Sequence, residues 1–107
     1  MKFTINGKEY EGAKYNFNTS CLFEELGVNI ADIGKKPMGL MRAYLAISSG
    51  MDVEEAGNEI EQHLINGGNL VDIQNVLGEE MNNSGFFKSL LEKVTTTEET
   101  QEKKTKK

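Results

Sequence analysis

Along the first eleven residues large apolar side chains alternate with polar ones, at Phe3, Ile5 and Tyr10, around an Asn6-Gly7 pair. Both central positions of a type I′ turn need positive φ, and Asn-Gly is the strongest two-residue signal for it. The pattern predicts a β-hairpin over residues 2–11. With the turn at its tip, Ile5 faces Lys8 and Phe3 faces Tyr10. Phe3, Ile5 and Tyr10 then share one face, which must be covered because an isolated hairpin is marginal in water. Tyr15 and Phe17 alternate once more and predict a third strand over 13–17, giving a small meander.

The period then lengthens to that of helices. Asn18, Thr19 and Ser20 offer N-caps for a short helix through Cys21-Leu22-Phe23-Glu24-Glu25-Leu26, with Gly27 as its stop. A connection over 28–36 has room for one helical turn at 30–33, ended by Gly34. Pro37 suits the first turn of the next helix, whose apolar residues from Met38 to Ile47 cover almost every face. A helix apolar all round is usually the central buried one.

Asp52 with Glu55 three residues on makes a capping box, and Met51 and Ala56 occupy the staple positions. Val53, Ala56, Ile60 and Leu64 form one stripe, stopped by Asn66-Gly67-Gly68. Asn69 caps a further helix with the stripe Leu70, Ile73, Leu77 and Met81. Gly78 inside it predicts a break, since glycine costs about 1 kcal/mol relative to alanine. After the turn Asn82-Asn83-Ser84-Gly85 comes a last apolar face at Phe87, Leu90, Leu91 and Val94. The pattern defines an α+β fold, mainly helical, as one domain over 1–94. Residues 95–107 hold only Thr, Glu, Gln and Lys, too little apolar surface to offset their ordering entropy, and predict a disordered charged tail.

Charge narrows the partners. The chain of 107 residues carries −5, and the last 13 hold four lysines and three glutamates, so the 94 before them carry −6. An acidic body repels phosphate backbones and disfavours nucleic acid. The longest apolar stretch, 38–47, is interrupted by Arg42 and too short to span a bilayer. The N-terminus has no apolar run long enough for a signal peptide, so a cytoplasmic protein is expected. One cysteine, Cys21, permits no intrachain disulfide, which suits a reducing compartment.

Candidate chemistry is sparse. Cys21 and His63 are the only nucleophile–base combination involving a thiol, and no local signature supports it. Glu59 and His63 sit four apart on one helix, but a metal site needs three or four ligands and there is no second histidine. The helices on either side of Asn66-Gly67-Gly68 resemble a helix-turn-helix in layout only, because the second lacks any cation to read bases. No catalytic, cofactor or metal residues are expected. A protein partner is, and Phe86, Phe87, Leu90 and Met81 are the candidate contacts, since one helix face cannot bury Phe86 and Phe87 equally and one of them should be exposed.

The order of Phe3-Thr4-Ile5-Asn6-Gly7-Lys8-Glu9-Tyr10, Tyr15-Asn16-Phe17-Asn18, Cys21-Leu22-Phe23-Glu24-Glu25-Leu26-Gly27, a small-residue-rich apolar helix around 41–47, and Asp52-Val53-Glu54-Glu55-Ala56-Gly57 resembles the tail assembly chaperones of long-tailed bacteriophages and prophages. The resemblance covers about residues 1–94. It implies a non-catalytic protein that coats the tape measure protein, keeps it soluble until tail tube protein polymerises around it, and is absent from the finished particle. Homo-oligomerisation is compatible with that role. The resemblance also implies that ribosomal frameshifting can extend the chain, with Lys103-Lys104 or Lys106-Lys107 on adenine-rich codons. The alternative is a small intracellular regulator or adaptor that binds another protein through the same helical faces.

Overall fold

Asn6 takes φ +52° and Gly7 φ +77°, the pair of left-handed residues a type I′ turn requires. In a computed structural model, which describes residues 1–29, 35–90 and 92, this turn joins β1 (Lys2–Ile5) to β2 (Lys8–Glu11) in an antiparallel pair. The register places Phe3 opposite Tyr10 and Ile5 opposite Lys8, as the turn chemistry predicts. Phe3 and Ile5 are fully buried, and the Phe3 ring centroid lies 5.7 Å from Tyr10 and 5.8 Å from Tyr44. The expected helical turn at 30–33, Leu91, Val94 and the tail 95–107 lie outside the described residues.

The third strand does not form, and the sheet has two strands. Its backbone groups are taken by a helix instead. The Ala13 N–H donates to Ser48 Oγ at 3.0 Å, and the Ala13 carbonyl accepts from the Tyr44 hydroxyl at 2.8 Å. Asn16 then caps α1 (Phe17–Glu25) two residues before the earliest predicted cap, accepting the Thr19 N–H at 2.9 Å. Phe17 is therefore helical rather than extended. At the other end Gly27 is left-handed, and the Val28 N–H to Phe23 carbonyl bond (2.8 Å) with the Gly27 N–H to Glu24 carbonyl bond (2.9 Å) closes a Schellman motif.

Pro37 opens α2 (Pro37–Ser49), which buries Leu40, Met41, Ala43, Tyr44, Leu45 and Ala46. It packs against α1, α3, α4 and β2, the central position its apolar coverage predicts. Asp52 caps α3 (Val53–Ile65), accepting the Glu55 N–H at 2.8 Å, and Ala56 is fully buried beneath it. α4 (Val71–Asn82) runs unbroken through Gly78, because burial of Ile73, Val76, Leu77 and Met81 on both sides of the glycine outweighs its propensity cost. Ser84 is buried and caps a last helical stretch, α5 (85–90), by accepting the Phe87 N–H at 3.0 Å. The architecture is α+β: helices α1, α3 and α4 around α2, with the hairpin laid on α4, α2 and α3.

Candidate interaction surface

The hairpin tip is fastened to α3 by the residues that looked most like chemistry. Glu59 accepts from Asn6 Nδ2 at 2.7 Å and from Lys8 Nζ at 3.1 Å. One turn on, His63 Nδ1 accepts the Asn6 N–H at 2.9 Å. That bond leaves the ring proton on Nε2, which donates to the Asn69 carbonyl at 2.9 Å. Both ring nitrogens are thus committed to backbone, and neither is free to activate Cys21, which is a half-buried free thiol on α1. Gly68 completes the fastening: a Cβ there would lie 2.5 Å from the imidazole, so the ring fits only against a glycine. Among the described residues no three His, Cys, Asp or Glu side chains gather as a metal site would need.

Hydrogen bonds first from Asn6 and then from Lys8, with the Lys8 charge, hold the Glu59 carboxyl below the usual glutamate range. A group whose folded pKa is lowered stabilises the fold above its unfolded value, near pH 4.5 here, and loses that contribution as pH falls through the folded pKa. Urea midpoints measured from pH 6 down to about pH 3 are expected to fall less steeply for Glu59→Gln than for the parent. Parallel profiles would show that the hairpin tip owes nothing to this carboxylate.

The four candidate contacts do not share one exposed patch. Met81 is 8% exposed and belongs to the core. Phe86 and Phe87 are both half-buried, which corrects the expectation that one would be exposed. Tyr15 accommodates both: its ring stacks on Phe86 at 6.2 Å between centroids and meets Phe87 edge-on at 5.3 Å. The exposed Phe17 ring stands edge-on to Phe86 at 5.7 Å and extends the aromatic cluster outward. Leu90 is half-buried at the end of the described helix.

The larger apolar exposure is elsewhere. α2 and α3 diverge into a groove of about 520 Å³. Met38, Gly39 and Arg42 line its α2 side, and Gly57, Ile60 and Leu64 its α3 side. Met38 is 83% exposed, Leu64 45% and, at the groove's end, Ile65 69%. Leu64 belongs to the predicted stripe Val53, Ala56, Ile60 and Leu64, yet it lines the groove and is exposed. Periodicity gave no signal for this, since adjacent apolar residues such as Val76 and Leu77 on α4 are both buried. The Arg42 stem crosses Gly57, where a Cβ would approach its Cδ to 3.2 Å.

Comparisons with family models, curated proteins and solved structures found no match for this chain. Among the described residues no helix is long and apolar enough to cross a membrane.

Proposed function

We propose that this protein is a non-catalytic tail assembly chaperone of the long-tailed-phage type, working in the host cytoplasm. It binds the tape measure protein and keeps it soluble while the tail tube forms. The observation that carries the reading is the pairing of a fully committed His63 with an open apolar groove: His63 and Glu59 are spent on fastening the hairpin, while large apolar side chains are left for a partner. The hairpin-then-helices order that the resemblance rests on supports it. Reversible burial of such side chains against helices needs no bond chemistry, and about 25 cal/mol per Å² of apolar area covered gives weak, repeatable association.

Co-expression tests it. A co-expressed tape measure protein is expected to accumulate in the soluble fraction with the chaperone and in the pellet without it. An equally insoluble tape measure protein in both cases would remove the reading. The adaptor alternative draws on the groove's size, which suits a single helix of a compact partner.

A further inference from the structure

We propose that the α2–α3 groove is a helix-docking site whose occupant is a partner's amphipathic helix, with lysine or arginine flanking its apolar stripe on the side that faces α3. The proposal rests on the chaperone reading only for the protein that supplies the helix.

Charge selects this occupant. α3 carries Glu54, Glu55, Glu59 and Glu61 and no lysine or arginine. Glu59 is engaged by the hairpin. Glu54 and Glu61 are exposed and seven residues apart, so they share the helix edge that borders the groove, and Glu61 lines it. Among the described residues neither makes an ion pair. The groove is thus a strip of large apolar side chains with carboxylates along its α3 edge that form no ion pair among the described residues, and with Arg42 as the cation of its α2 side. A helix with an apolar stripe and a basic flank satisfies both at once, and a purely apolar or acidic helix does not.

Gly39 points the same way. Glycine within a helix lowers its stability relative to alanine. Among the described residues a Cβ here would meet nothing within 4 Å, and the backbone is not left-handed, so packing of the described residues gives no reason for glycine. Beside Met38 and opposite Leu64, its missing side chain lets another backbone come close.

The test uses the full chain and two labelled synthetic helical peptides with the same leucine stripe, one flanked by lysine and one by glutamate. Fluorescence anisotropy is expected to show the lysine peptide binding about tenfold more tightly or better. Gly39→Leu, which fills the groove from a position with open space, should weaken it at least about tenfold with an unchanged thermal transition. Ile65→Asp, at an exposed position, should do the same and serves if Gly39→Leu does not fold. The double change Glu54→Lys with Glu61→Lys should reverse the preference toward the glutamate peptide. Equal binding of the two peptides, or binding that both groove variants leave intact, overturns the proposal. So does a dimer of this chain that Gly39→Leu dissociates, since the groove would then belong to a second copy. Peptide discrimination as stated, with no tape measure protein kept soluble, would count against the chaperone reading and leave the groove assignment standing.

Discussion

Gly12→Ala is expected to destabilise the protein by about 3 kcal/mol, at the upper end of what overpacking a core costs. The glycine is buried where β2 ends, with its N–H donating to the Met1 carbonyl at 2.7 Å. A Cβ added there would stand 2.5 Å from Val76 Cγ1, 2.6 Å from Tyr44 Oη and 3.1 Å from the Met1 carbonyl oxygen. None of the three can yield cheaply. Val76 is on the buried face of α4, Tyr44 is tied to Ala13, and the Met1 carbonyl closes the hairpin. A thermal melt should show Tm lowered by roughly 10–20 °C. Gly85→Ala, where a Cβ meets nothing within 4 Å, is the matched control and should leave Tm within a few degrees of the parent. A melt of Gly12→Ala that overlays the parent would mean that β2 and α4 do not approach as described.

Tyr44→Ala should cost about 4 kcal/mol, the scale for removing a buried aromatic ring. Tyr44 is completely buried at the centre of α2, with its ring stacked on Phe23 at 6.3 Å and tilted against Phe3 at 5.8 Å. It joins the hairpin to α1 through its ring and to the chain after β2 through its hydroxyl. Tyr44→Phe separates the two roles. It keeps the ring and leaves the Ala13 carbonyl without its donor, a loss of about 1–2 kcal/mol. Burial, and then the nearby Glu80 charge, push the phenol well above the ordinary tyrosine range. An acid whose folded pKa is raised contributes its full stability below the unfolded value and loses it as pH rises toward the folded one. The parent should therefore weaken above about pH 10, the unperturbed tyrosine value, more steeply than Tyr44→Phe. Chemical denaturation at pH 8 and pH 11 measures both effects, and equal pH sensitivity of the two proteins would contradict the buried phenol.

Where local chemistry decided the outcome, the sequence was sufficient. Asn6-Gly7 set the hairpin register, Asp52 set the start of α3, and the all-round apolar coverage of 38–47 identified the central helix. Where a distant group decided, it was not. The third strand was lost because Ser48 and Tyr44 capture both polar groups of Ala13. Gly78 failed to break α4 because tertiary burial on either side outweighs its propensity. Phe86 and Phe87 are both half-buried because the distant Tyr15 meets both rings, which no periodicity within α5 announces. The same limit applied to the surface. Helical spacing counted Leu64 as core, and only the packing of α3 against α2 left it at the mouth of a groove with Met38 and Ile65. His63, by contrast, was legible as a residue of interest but not as a fastening, because its partners are backbone atoms of Asn6 and Asn69.

The chaperone reading is tested most directly by affinity capture of the tagged full chain from cells that naturally express it, with the partner and its stoichiometry read by mass. The account predicts a very long, helix-rich tape measure protein carrying many copies of this chain. Capture of a compact regulator or enzyme in equal numbers, with the tape measure protein expressed but left behind, would contradict it.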